Sequence, residues 1–221
     1  PQDSAKNALW EFCPAGTFVA TRKGSFQGAG GIINSPSKAN GAMGFNSDFL
    51  DNAGKGAASI GLGIAPAPHT GELISPIIDC SGRSTVELRF YQAIRQFVAE
   101  QRIEVSNDGG ATWTKYVINT DIVTNSAHIN DQRFVDITKT AANSANVKIK
   151  FVYDCKDADP RGYYYWIVDD VQLWELTPNN LAIKNANFPP ANYNTPAIMM
   201  SQDTFQFIAD IQNNGGKTQK N

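Results

Sequence analysis

The strongest constraint in this chain is an alternation of apolar and polar residues with period two, which recurs from residue 86 to residue 173. Val86, Leu88 and Phe90 alternate with Glu87, Arg89 and Tyr91; Ile103 and Val105 alternate with Arg102 and Glu104; Val147, Ile149 and Phe151 alternate with Lys148 and Lys150. Phe134 and Asp136 mark a shorter run, and Tyr163 to Leu173 closes the series. Successive side chains of a strand point to opposite faces, so each run reads as a strand with one buried face. Residues 90–100 admit a short helical reading, but the flanking pattern favours one long strand. Turn-forming clusters separate the runs: Ser81-Gly82, Asn107-Asp108-Gly109-Gly110, and Asp157 to Gly162. Short strands at this spacing, with no helices between them, predict an all-β fold of two antiparallel sheets packed as a sandwich.

The two ends carry less pattern. Residues 14–41 are rich in Gly, Ser, Asn and Ala, which predicts long ordered loops with short strand pieces at Ile32 to Pro36 and Gly41 to Phe45. A composition break near Thr177-Pro178-Asn179-Asn180 opens a polar stretch containing Pro189, Pro190 and Pro196. One strong strand follows. Phe205, Phe207, Ala209 and Ile211 point one way, and Thr204, Gln206, Ile208 and Asp210 the other. Asn213-Asn214-Gly215-Gly216 then reads as a hairpin turn. One or two strands do not make an independent domain. A strand with an apolar row and open backbone groups is a template for β-augmentation. Residues 203–212, with Phe205, Phe207 and Ile211 in that row, are therefore expected to pair with a neighbouring strand of the preceding β-domain or of another protomer.

The formal net charge of −2 leaves no basic footprint for nucleic acid. No apolar run approaches the ~18 residues of a membrane-spanning helix. No signal-peptide pattern is visible and the sequence starts abruptly at Pro1, so the chain reads as a mature or excised segment. Cys13, Cys80 and Cys155 lack CxxC spacing, which argues against a zinc site. They fit either one disulfide with one free thiol or three buried thiols. Cys80 and Cys155, which both follow strand-like runs, are the favoured pair.

Four segments could carry function. Ser106 to Trp113 fits S-x-D-x-G-x-x-W, in which an Asp binds turn amides, the glycines take positive φ and the Trp folds back on the turn. This resembles the Asp-box turn of many β-proteins, whose role there is structural. Asp169 and Asp170 lie in the Tyr163–Leu173 strand, and alternation predicts that they face opposite sides of the sheet. That placement disfavours a glycosidase carboxylate pair. Asn46-Ser47-Asp48-Phe49-Leu50-Asp51 gathers hard oxygen ligands that suit Ca2+, or equally forms an Asx turn with solvated carboxylates. Tyr163, Tyr164 and Tyr165 put at least one ring outward, either as a sugar-stacking platform or as packing. His69 and His128 stand in loops without a nucleophile motif, and Gly28-Ala29-Gly30-Gly31 lacks the features of a phosphate loop. A non-catalytic chain is expected.

Several segments taken in order resemble a known family. They are Ala8 to Phe12, Ile32 to Pro36, Ala39 to Asp48, Glu72 to Gly82, Val105 to Trp113 and Trp166 to Leu173. Together they are similar to the MAM-like jelly rolls of Bacteroidetes surface proteins, relatives of the gingipain cleaved-adhesin domains that are commonly exported by type IX secretion. The resemblance covers residues 8–176. It implies a jelly roll over 1–176, a secreted or bacterial cell-surface location, an adhesive role toward a glycan or a cell-surface protein, and a structural Ca2+. By position the implied ligands are Glu11, Asn46, Asp48, Asp169 and Asp170. Asn46 replaces the first acid of the family's loop, which removes a negative charge from such a site. Residues 177–221 resemble a linker and the opening strands of an Ig-like domain. A structural repeat or fibre subunit joined through the tail, and an accessory domain of a secreted hydrolase, are the alternative functions.

Overall fold

The computed structural model describes residues 8–25, 30–155, 163–177, 179–187, 208–216 and 218. The chain divides into two compact units, Pro1–Glu175 and Leu176–Asn221.

The described residues of the first unit form nine strands: β1 (Glu11–Cys13), β2 (Ala42–Phe45), β3 (Thr70–Ile74), β4 (Glu87–Arg95), β5 (Glu100–Ser106), β6 (Thr114–Val117), β7 (Ala127–Asp136), β8 (Lys148–Asp154) and β9 (Tyr165–Trp174). They form a five-stranded sheet in the order β1-β2-β9-β4-β7 and a four-stranded sheet in the order β3-β8-β5-β6. Every pairing is antiparallel. From β2 to β9 the chain crosses repeatedly between the sheets, so that first and last strands pair side by side. That winding is the jelly roll, with β1 added at one edge.

The alternation seen in the sequence sets the core. Leu88, Phe90, Ile103, Val105, Ile149, Phe151, Tyr153, Trp166 and Val168 point between the sheets and are buried together. Phe90 meets Phe151 edge-on at 5.2 Å, and Phe45 stacks on Tyr153 at 4.7 Å. Gly71 has room for no side chain, because a Cβ there would stand 2.0 Å from the Phe45 ring. The other face of the five-stranded sheet is also partly covered. Tyr165 and Ile167, alternating with Trp166 and Val168, point away from the main core into a second cluster with Cys13, Phe18, Ile33, Ala42 and Ala93. The Gly- and Ser-rich N-terminal segment supplies that cover. It reaches as far as Ser35 and Ser37, which bond to Asp169 and Asp170.

The long strand expected over residues 90–100 is interrupted: β4 ends at Arg95 and β5 begins at Glu100. The segment after Asn46 is a short helix, α1 (Ser47–Asn52), rather than an open loop. The Asn46 side chain caps it by accepting a bond from the Phe49 amide at 3.3 Å. All three cysteines are buried and free, so the expected Cys80–Cys155 disulfide is absent. Cys155 bonds at 3.6 Å to Ser47, whereas Cys80 lies in the turn before Arg83.

Between β5 and β6 the Asp-box turn has the expected geometry. Asp108 Oδ1 accepts from the Ala111 and Thr112 amides, each at 2.9 Å, and from Ser106 Oγ at 2.6 Å. Gly109 and Gly110 take φ of 75° and 103°. These hydrogen bonds, first those from Ser106 and Thr112, hold the Asp108 carboxyl well below its usual range. A lowered folded-state pKa contributes stability that is present above the unfolded value of about 4 and lost as pH falls below it. Asp108→Ala is therefore expected to melt below the parent at pH 7, with the gap narrowing as pH drops from about 4 toward 2. A gap of constant size in melts across that range would count against this account.

The second unit contains β10 (Leu181–Asn187) and β11 (Ile208–Asn213), paired antiparallel with Ile183 opposite Ile211. Phe205 and Phe207 lie outside the described residues. Ile211 thus has a partner strand within its own unit, which the sequence reading did not foresee. Within Asn213-Asn214-Gly215-Gly216, Asn214 donates to the Asn180 carbonyl at 2.7 Å and Gly216 to that of Thr177 at 3.0 Å.

Candidate functional site

The five residues expected to hold calcium fall into separate groups. Glu11, on β1, forms an ion pair with Arg22, whose guanidinium also lies 4.7 Å over the Phe49 ring. Asn46 donates to the Arg22 carbonyl at 2.6 Å and to Glu11 at 3.4 Å. Asp48 is fully buried and accepts from Asn52, and Gly24 packs directly on its carboxylate. Asp169 and Asp170 stand elsewhere. Phe45 pairs with Trp166, so Asn46 stands level with Tyr165, four residues and about 13 Å along β9 from Asp169. Among the described residues no three His, Cys, Asp or Glu side chains gather closely enough to hold a metal ion. The cation beside Glu11 is the Arg22 guanidinium.

Asp169 and Asp170 do not face opposite sides, as strict alternation predicts. The register of β4 and β9 shifts between Arg89 and Tyr91, and Asp170 takes φ of +50°. This bulge turns both carboxylates toward one hydroxyl. Ser37 Oγ donates to Asp170 Oδ1 at 2.6 Å and approaches Asp169 Oδ2 at 3.4 Å, while Ser35 Oγ also donates to Asp169. The pair fastens the N-terminal segment to the sheet.

The three tyrosines also separate. Tyr165 is wholly buried, edge-on to Phe18 at 6.1 Å, and cannot meet a ligand. Tyr163 and Tyr164 are half-buried and pack edge-on to Phe97 at 5.2 and 6.4 Å. The Arg95 guanidinium lies 4.1 Å over the Tyr164 ring, and the Tyr164 hydroxyl donates to Asn125 at 2.8 Å.

A serine, a histidine and a cysteine meet inside the fold. Ser47 Oγ lies 2.9 Å from His69 Nε2 and 3.6 Å from Cys155 Sγ, and His69 Nδ1 lies 2.8 Å from the Ala65 carbonyl. All three side chains are buried, and burial pushes the Cys155 thiol up to about 11. The group is closed to substrate and its thiol is protonated at neutral pH, so it supplies polar packing rather than a nucleophile.

Among the described residues, an accessible group of aromatic and charged side chains lies where the N-terminal cover stops. Beyond the Asp169–Asp170 bulge the outer face of the five-stranded sheet carries Trp174 and Gln172 from β9, Glu87 and Arg89 from β4, and Phe134 and Asp136 from β7. The Arg89 guanidinium is held between two rings, 4.3 Å from the Trp174 centroid and 5.3 Å from that of Phe134. Its Nε donates to Glu87 at 2.6 Å, and Trp174 Nε1 donates to Gln172 at 2.8 Å. Trp174 and Phe134 remain 47% and 54% exposed. Beside Trp174 opens a cavity of about 260 Å3, lined by Asp79, Cys80, Arg83, Thr85 and Glu175 among others. Sequence reasoning passed over this face. Phe134 was the available signal, since it stands between Gln132 and Asp136 on the polar side of its strand. Its neighbours Arg89 and Trp174 become visible only once the register is known.

No family model matches the chain. No curated protein matches it either. Among solved structures it is similar to TmCBM61, determined in complex with β-1,4-galactotriose, at 14% identity over 62% of this chain and 71% of that one, with a TM-score of 0.38. It is also similar to a cleaved adhesin domain of Lys-gingipain from Porphyromonas gingivalis, at 16% identity over 78% of this chain and 88% of that one, with a TM-score of 0.44.

Proposed function

We propose that the jelly roll is a non-catalytic, extracellular carbohydrate-binding module that holds its ligand against the open half of the five-stranded sheet. The observation that carries this reading is the Trp174–Arg89–Phe134 stack, two half-exposed rings around a guanidinium on a face that the described residues of the N-terminal segment leave bare. A pyranose ring has an apolar C–H face and a rim of hydroxyls. Flat aromatic rings suit the first, and planar groups such as Arg89, Gln172 and Glu87 suit the second. β4 lies between β7 and β9, which sets the two rings about 10 Å apart across the sheet, the scale of two joined sugar units.

The test is a glycan array followed by calorimetry on the full chain. The parent is expected to retain at least one oligosaccharide. Covering an aromatic ring is worth roughly 1.5–3 kcal/mol, so Trp174→Ala is expected to weaken binding at least about tenfold. Phe134→Ala should act in the same direction, and Tyr165→Phe should leave affinity unchanged. An array with no retained sugar, or a Trp174→Ala variant that binds as the parent does, would overturn the proposal.

A further inference from the structure

Resting on that carbohydrate-binding reading, we infer that the cavity beside Trp174 is a subsite for one terminal sugar of a neutral glycan, and that the site rejects acidic sugars. The cavity's volume, about 260 Å3, is just below the ~300 Å3 at which pockets for larger ligands begin, and suits a single ring. Trp174 belongs both to the exposed stack and to the cavity wall, so a chain lying along the sheet face leads into the cavity.

The far wall is a built turn. Arg83 N donates to the Cys80 carbonyl at 3.1 Å, Cys80 N to that of Ser144 at 2.8 Å, and Ser81 N to Asp79 Oδ1 at 2.8 Å. Glu175 is held from two directions, by Arg83 Nη1 at 2.9 Å and by the Ser84 amide at 3.3 Å. Cys80, Thr85 and Val86 beneath are buried. A guanidinium beside a carboxylate offers donors and acceptors at the spacing of neighbouring sugar hydroxyls.

The charge balance selects the ligand. The cavity sets Asp79 and Glu175 against Arg83, and the adjoining stack sets Glu87 and Asp136 against Arg89, leaving one excess negative charge in each part. The hydrogen bonds from Arg83 and Ser84 lower the pKa of Glu175 and keep it ionised. A uronate or sialate carboxylate entering here would meet like charge, whereas a neutral hexose loses nothing by it.

The experiment is calorimetry on the full chain with linear neutral gluco-, galacto- and manno-oligosaccharides of two to six units, matched oligogalacturonides, and soluble neutral polymers of known chain number. A neutral series is expected to bind at least tenfold more tightly than the uronates, and its polymer to saturate at one protein per chain. Arg83→Ala and Glu175→Gln, both at solvent-exposed side chains, are expected to weaken oligosaccharide binding about tenfold. If sugars bind and Trp174→Ala abolishes binding, but the two cavity variants match the parent or many proteins load along each polymer, the terminal subsite is wrong and the carbohydrate reading survives. If a uronate series binds best, the charge selection is wrong. If no sugar binds, the carbohydrate reading itself fails.

Discussion

Trp166→Ala is expected to cost about 4 kcal/mol of stability and to lower the thermal midpoint by about 10 °C. Trp166 is fully buried near the start of β9, where it packs against Trp10 at 5.5 Å and Phe151 at 5.8 Å. It therefore joins the β1–β2 edge to the four-stranded sheet. Its indole Nε1 donates to Gln92 Oε1 at 2.7 Å, and Gln92 Nε2 in turn donates to Asn119 and Asp131. Truncation opens a cavity and also removes a donor from a buried amide. The two losses can be separated. Trp166→Phe keeps most of the apolar contact but leaves Gln92 Oε1 with only the longer bond from Asn119, 3.3 Å, and should cost about 1–2 kcal/mol. Denaturant unfolding of both variants checks the ordering. A Trp166→Ala variant that melts within about 3 °C of the parent would contradict this picture of the core.

The same strand shows what the sequence could and could not disclose. Alternation marked β4, β5, β8 and β9 because a sheet with a buried face needs apolar side chains at every second position. In the fold, Trp166 and Val168 face one way and Tyr165 and Ile167 the other. Alternation could not say what lies over the second face. Tyr165 stood among three candidate platform rings because the Gly- and Ser-rich segment that buries it has no periodicity of its own. Asp170 shows a second limit. A bulge is a register event between two strands, and here its positive φ falls on an Asp with no glycine to announce it. α1 has six residues, too few for a helical period to stand out from a polar loop. The exposed stack failed to appear for a related reason. Arg89, Phe134 and Trp174 come from three strands, and only their registers bring them together.

Arg102→Met is expected to destabilise the fold by about 3 kcal/mol at pH 7, and by clearly less near pH 3.5. Arg102 lies on the outer face of the four-stranded sheet, yet its side chain is only 8% exposed. It bonds to Glu104 at 2.7 Å and Asp154 at 2.7 Å, and approaches Glu100 at 3.4 Å. Val152, its cross-strand partner, is fully buried on the same face, and Met keeps an apolar stem there. The substitution therefore removes mainly the charge and strands three carboxylates, with Lys150 and Lys115 as the remaining cations bonded to them. Burial pushes the Glu104 carboxyl up, but hydrogen bonds from Arg102 and Lys150 outweigh it, so the folded-state pKa lies below its usual value. Such a group contributes stability above the unfolded pKa of about 4.3, and that contribution is lost as pH falls through the folded value. Without Arg102 the carboxyl rises, and acid then relieves repulsion in the variant while it removes an attraction in the parent. Both changes shrink the difference at low pH. Paired urea titrations at pH 7 and 3.5 measure it. An equal deficit at both pH values would assign the effect to packing, and no deficit at pH 7 would show that the ion network adds nothing to the fold.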